Sequence, residues 1–266
     1  MFAALWATFT PWLFESDHSR GVNLAHRSES VTYRAVMDVV PHVSRRRLLQ
    51  LGAAGLALTC LSQPTAAATV NPVVLCRDAW GAQPPRPGGA PNPLSLMTLH
   101  HTEVVLGNNA NAPARLRQHQ HYHQDTQGWI DIAYHYSVDR NGNIYQLRDP
   151  HLVGDTATTY DPTGHFLVVC EGDFDKEAVS EDQLNGTALV FAWAAQQFGI
   201  PTGTLAGHRD FAPKTTCPGA SLYDHVASGD LQNRVDSLLA AGPVALPTVC
   251  GPEADEIVRE IEAGLR

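Results

Sequence analysis

Five consecutive apolar residues, Phe166-Leu167-Val168-Val169-Cys170, set the first limit on what this chain can become. A run so short and so uniformly apolar fits a central strand buried on both faces, and such a strand must be covered above and below. Its neighbours can be found in the same way. Leu96-Met97-Thr98-Leu99-His100 is a second short apolar run between loop residues and reads as a strand. Residues 132–138 and 143–147 are rich in aromatic and β-branched side chains, and Asp139-Arg140-Asn141-Gly142 between them carries the Asn-Gly signal of a tight hairpin. Residues 112–124 read as a helix with Pro113 in its tolerant first turn. Ser180 and Gln183 have capping-box spacing and open a helix expected to reach Phe198, where Gly199 and Pro201 stop it. Leu231, Val235, Leu238 and Leu239 mark one late amphipathic helix, and Ile257, Val258, Ile261 and Leu265 another. With a hairpin and no strict strand-helix alternation, the predicted class is α/β, a central mixed β-sheet flanked by helices.

Residues 1–68 read as an N-terminal extension and export signal, separate from that fold. Arg45-Arg46-Arg47 precede an apolar run from Leu48 to Leu61, and Ala66-Ala67-Ala68 follow as a small-residue cleavage site. That order, with its Arg pair, has the character of a twin-arginine signal. The apolar run is too short and too rich in Gly and Ala for a permanent membrane span. Met37 would set the Arg pair at a normal distance from a start. The mature chain is therefore expected to begin at Thr69 and to be exported, whether secreted, periplasmic or in the cell wall. It would hold one domain over 69–228 and a helical extension over 229–266. A formal net charge of −9 argues against nucleic acid as the partner, because phosphate binding needs clustered Lys and Arg. An oxidising destination allows a disulfide, and Cys76 with Cys250, near the two ends of the mature chain, is the pair to test.

The chemistry-bearing residues fall in two places. Leu99-His100-His101-Thr102 ends the first core strand, and Gly207-His208-Arg209-Asp210 runs through to Cys217-Pro218-Gly219. Side chains alternate along a strand, so only one of His100 and His101 can readily join a given metal. His100, His208 and Cys217 together supply two neutral nitrogens and a thiolate. Three protein ligands leave a tetrahedral zinc one open position, the pattern of catalytic and not of closed structural sites.

Four blocks, in order, then make the chain resemble a family. They are Arg77-Asp78-Ala79-Trp80-Gly81-Ala82; Leu99 to Thr102; Gly128-Trp129-Ile130-Asp131-Ile132-Ala133-Tyr134-His135-Tyr136; and Gly207 to Gly219. Over roughly residues 72–225 the chain resembles the N-acetylmuramoyl-L-alanine amidases of the peptidoglycan recognition protein and bacteriophage amidase-lysozyme (amidase type 2) superfamily. The resemblance implies a zinc ion on His100, His208 and Cys217, with Tyr134 as the catalytic tyrosine. It implies peptidoglycan or muropeptides as substrate, cut at the amide between N-acetylmuramic acid and L-alanine of the stem peptide. The family's Lys or Thr two residues before the Cys falls on Thr215 by counting back. It falls on Lys214 if the loop's extra residue lies after it, and either would donate to the oxyanion.

Some positions depart from the family pattern. The loop 154–158 lacks a His often found there, and Val169 stands where some relatives place a catalytic Glu. Glu171 is then expected to pack or hydrogen-bond at the strand end. His119, His121 and His123 invite a second metal site but have no acidic or thiol partner evident nearby, so a solvated helix face is expected. His101, His135 and His165 read as packing or supporting groups, and Asp210 either orients His208 or caps a loop. Two other functions suit the same residues: a zinc peptidase acting within the stem peptide, and a module that binds muropeptides without cutting them. Binding-only members typically lack the Cys ligand, which this chain keeps.

Overall fold

Phe166–Cys170 does sit at the middle of a sheet. The computed structural model describes residues 72–266, so the expected signal segment, its cleavage site and the start at Met37 lie outside the described residues. The strands are β1 (Val74–Leu75), β2 (Leu96–His101), β3 (Tyr136–Val138), β4 (Ile144–Gln146), β5 (His165–Cys170), β6 (Leu205–Gly207) and β7 (Thr248–Val249). Their order across the sheet is β6-β2-β5-β3-β4-β1-β7. Every residue of β5 is buried, with β2 and β3 parallel to it on either side. The antiparallel pair is β3 with β4, joined by the hairpin whose Gly142 takes φ 81°, a value open to glycine at little cost.

Alternation along β2 and β5 sorts the core into two layers. Met97, Leu99, Phe166 and Val168 face α2 (Glu181–Phe198) and, behind it, α5 (Asp230–Ala241). Val169, with Leu75 and Tyr145 of β1 and β4, faces Trp80, Leu116 of α1 (Ala112–His121) and Val258 and Ile261 of α6 (Pro252–Glu262). Each such side chain contributes about 1.5–3 kcal/mol when fully buried, so the sheet is held from both sides, as a doubly covered strand requires. Two short helices, α3 (His208–Phe211) and α4 (Ala220–Ala227), follow β6. The stretch after residue 228 takes part in the same core: α5 packs on α2, β7 pairs with β1, and α6 lies beside α1. Among the described residues no helix is long and apolar enough to cross a membrane.

Three of four local departures from the sequence reading have an identifiable partner. The strand expected over 132–138 is regular only from Tyr136; at its start the buried Arg148 side chain, and no neighbouring strand, takes the carbonyls of Asp131 (2.9 Å) and Ile132 (2.8 Å). Helix α1 ends at His121, and Tyr122–Thr126 continues as a π-helical turn whose Gln124 amide is drawn to the carbonyls of Pro84 and Ile130. Only half of the capping box forms. Ser180 accepts from the Gln183 N–H at 3.1 Å, but the Gln183 side chain turns inward to the carbonyls of Val138 and Glu171. Leu265 lies beyond α6 and is 80% exposed.

Glu171, just past β5, is fully buried. Its Oε1 accepts from Ser137 Oγ at 3.1 Å and its Oε2 has no partner. Burial pushes its carboxyl up to about 8. A folded-state value raised above the unfolded one means stability that is fully present below about 4.5 and lost as pH rises through about 8. Glu171→Gln keeps the shape and removes the charge. It is expected to match the parent at pH 4 and to exceed it at pH 9 by about 2–3 kcal/mol, the cost of an unsatisfied buried ionised group. Thermal melts across that range check this; parallel curves for the two proteins would refute it.

Candidate metal centre

The site grows from the register of two neighbouring strands. β2 and β6 run parallel with Leu99 opposite Gly207, so the next residue of each, His100 and His208, emerge side by side at the carboxyl ends. Ligand sites in open α/β sheets favour this edge. Gly207 permits the third member: a Cβ there would come within 2.9 Å of both Pro218 Cδ and the Tyr223 ring, so only glycine lets the 217–218 segment lie against the strand. Cys217 is fixed through its backbone, its N–H donating to Thr215 Oγ1 (3.1 Å) and its carbonyl accepting from the Arg209 N–H (3.0 Å).

His100, His208 and Cys217 thus meet with their ligand atoms all within 4.8 Å of one another, each at most 7% exposed. The Cys217 sulfur lies 3.7 Å from His100 Nδ1. Zn–S of about 2.3 Å and Zn–N of about 2.0 Å in a tetrahedron require a separation of about 3.5 Å, so the pair is already spaced for an ion of that size. The donor chemistry agrees. Burial, reinforced by the neighbouring imidazoles, holds His100 well below its ordinary pKa, and burial brings His208 down to about 4. Both rings are therefore neutral and able to ligate. Burial pushes the Cys217 thiol up to about 12, and a cation in contact is what would hold it as thiolate. The sulfur already accepts the His101 N–H at 3.4 Å.

Tyr134 stands beside this cluster, its ring centroid 5.0 Å from that of His100. Burial and the nearby Cys217 push its phenol well above the ordinary range, so it keeps its proton. Thr215 lines the same cleft, whereas Lys214 is exposed and stands outside it. Residues passed over in the sequence also face the cleft: His123, Trp129 and Thr158. His123 Nδ1 accepts the Ala133 N–H at 3.2 Å, which leaves its Nε2 as the protonated nitrogen. His123 is half-buried against Trp129 and His119 is half-buried too, so the expected solvated face holds for His121 alone of the three. The π-turn, invisible to helical periodicity, is what swings it inward. Among the described residues, His100, His208 and Cys217 are the one His/Cys/Asp/Glu group placed to hold a metal.

The three histidines expected to pack or support the site are structural. His101, on the opposite face, accepts the Phe174 N–H at 3.3 Å; His165 pairs with Thr98 Oγ1 at 2.7 Å; His135 accepts the Leu167 N–H at 3.0 Å. Asp210 takes the loop-capping role, accepting the Gly207 N–H (2.8 Å) and the Tyr223 hydroxyl (2.6 Å).

Residues 90–220 match the family model of N-acetylmuramoyl-L-alanine amidase. The chain carries a domain of this amidase family. The human N-acetylmuramoyl-L-alanine amidase is 30% identical to it over 228 residues, 79% of this chain and 39% of the human protein. The chain spans well under half the length of the mammalian amidases it matches. Among solved structures, the wild-type Drosophila peptidoglycan recognition protein LB superposes on this chain with a TM-score of 0.53 at 26% identity. That match covers 58% of this chain and 92% of the other. Peptidoglycan recognition protein LE, solved with tracheal cytotoxin (a monomeric diaminopimelic acid-type peptidoglycan), gives 0.54 at 28% identity, covering 59% and 93%. The family expected from the four sequence blocks and the mixed-sheet fold expected from the strand and helix pattern are both borne out.

Proposed function

We propose that the protein is a zinc-dependent N-acetylmuramoyl-L-alanine amidase, hydrolysing the amide between the lactyl group of N-acetylmuramic acid and L-alanine of the stem peptide. The observation that carries this reading is the buried His100-His208-Cys217 cluster with a protonated Tyr134 alongside. When bound, zinc would supply a Lewis acid and lower the pKa of a water molecule in its open position. The protein's own groups do the rest. The two imidazoles and the thiolate hold the ion, and the Tyr134 phenol donates to the charge that develops on the carbonyl oxygen. Thr215 Oγ1 accepts from the Cys217 N–H, which leaves its hydroxyl proton free for the same oxyanion. Its place on the cleft wall supports Thr215 over exposed Lys214 in that role. The domain expected over 69–228, with 229–266 as an extension that packs into the same core and adds β7 to the sheet, and export through a twin-arginine signal belong to the same reading. The Cys76–Cys250 disulfide supports an oxidising destination.

The rival reading is recognition without cleavage, and the likeness to peptidoglycan recognition proteins gives it weight. The purified protein is expected to release L-alanine amino termini from peptidoglycan while leaving the glycan strands intact, and a chelator should abolish the release. Tight muropeptide binding with no turnover in added zinc would establish the rival. Tyr134→Phe tests the mechanism more finely. It is expected to lower kcat by about 10²–10³-fold, the loss typical of one oxyanion donor, with zinc content unchanged.

A further inference from the structure

His100 and His208 both turn their Nε2 to the same loop, which leaves the Nδ1 of each ring for an ion. His208 Nε2 lies 2.8 Å from Thr158 Oγ1. His100, whose Nδ1 is turned to the Cys217 sulfur, has its Nε2 3.5 Å from the Tyr160 hydroxyl. Tyr160 also packs its ring 5.0 Å from that of His208 and stacks on Phe211. Burial keeps the Tyr160 phenol protonated.

This loop is braced inside and anchored outside. Thr156 Oγ1 pairs with the Thr158 hydroxyl at 2.8 Å and accepts the Thr158 N–H at 3.1 Å. Arg148, 1% exposed, donates to the Val153 carbonyl at 2.6 Å and pairs with the Asp155 carboxylate. The same guanidinium holds the carbonyls of Asp131 and Ile132, in the segment that leads to Tyr134. One buried cation therefore fixes both the tyrosine's approach to the site and the loop against the ligand rings.

We propose that residues 153–160 form a clasp that orients the metal ligands, with Thr158 the positioning residue for His208 and Tyr160 for His100. The inference rests on the zinc reading above. A ligating imidazole whose other nitrogen is hydrogen-bonded is held in one tautomer and one orientation, and loss of such a partner typically weakens metal binding about 10–100-fold. The loop's internal hydrogen bonds and its Arg148 anchor make the Thr158 hydroxyl a fixed partner.

The test is zinc affinity of the whole chain, measured by competition with a chromophoric chelator. Thr158→Val, which keeps the shape and removes the hydroxyl, is expected to weaken zinc by about 10–100-fold, while Thr158→Ser restores it to within about 3-fold. Tyr160→Phe is expected to weaken it in the same direction. The melting temperatures of the metal-free proteins should coincide, which separates orientation of the ligands from support of the fold. Parental affinity in both Thr158→Val and Tyr160→Phe overturns the clasp and leaves the zinc reading standing. A parent chain with no affinity for zinc overturns both.

Discussion

Cys217→Ser is expected to lose bound zinc and hydrolytic activity together while keeping its fold. Serine is close to isosteric, and its oxygen can accept the His101 N–H that the sulfur now takes. The side chain sits 5% exposed in a segment fixed by backbone hydrogen bonds that the substitution leaves alone. Stability in chelator should therefore change by no more than about 1 kcal/mol. Metal binding is another matter, because a neutral hydroxyl brings neither the charge nor the soft sulfur of a thiolate. Four-ligand structural zinc sites reach apparent binding energies of about 10–16 kcal/mol, so one ligand accounts for roughly 3–4 kcal/mol, a factor of about 10²–10³ in affinity. Metal analysis after dialysis, beside an assay for released L-alanine, reads both effects. Full zinc content with normal turnover would remove Cys217 from the ligand set.

The second large effect concerns stability. Cys76 and Cys250 are joined by a disulfide with their α-carbons 5.4 Å apart and 174 residues between them in sequence. Closing so long a loop restricts the unfolded chain by about 5 kcal/mol in the chain-entropy account. The bond ties β1 to the residue following β7, and those two strands contribute only two residues each to the ladder. Cys76→Ser or Cys250→Ser is accordingly expected to lower unfolding free energy by about 3–5 kcal/mol, read by denaturant titration. Reductant should bring the parent to the same midpoint and leave the variants where they are. A reductant-insensitive parent would show that the strands hold this edge unaided.

The parts legible in the sequence were those with a local cause. Phe166–Cys170 announced a strand covered on both faces, Asn141-Gly142 a hairpin, and Gly199 a helix end, because each signal lies within a few residues of its consequence. The nearness of His208 and Cys217 in one stretch was legible for the same reason. What escaped depends on partners far along the chain. The Arg148 side chain takes the carbonyl of Ile132, sixteen residues before it, and no pattern within 132–138 reveals that partner. Gln183 has the spacing of a reciprocal cap, yet the carbonyls of Val138 and Glu171, at the ends of β3 and β5, draw its amide inward. His123 reaches the cleft only because a π-turn shifts its direction. Thr158 looks like any loop threonine until the fold sets it 2.8 Å from a ring fifty residues later.

The order of the strands has a further consequence for how such a domain can be mounted. His100 and His208 sit at β2 and β6, at one side of the sheet, while β1 and β7, nearest the two ends of the described chain, close the other. Four strand spacings separate β2 from β1, roughly 19 Å. A tether, a surface anchor or a fused partner joined beside Val74 would bear on the sheet at that distance from the metal ligands.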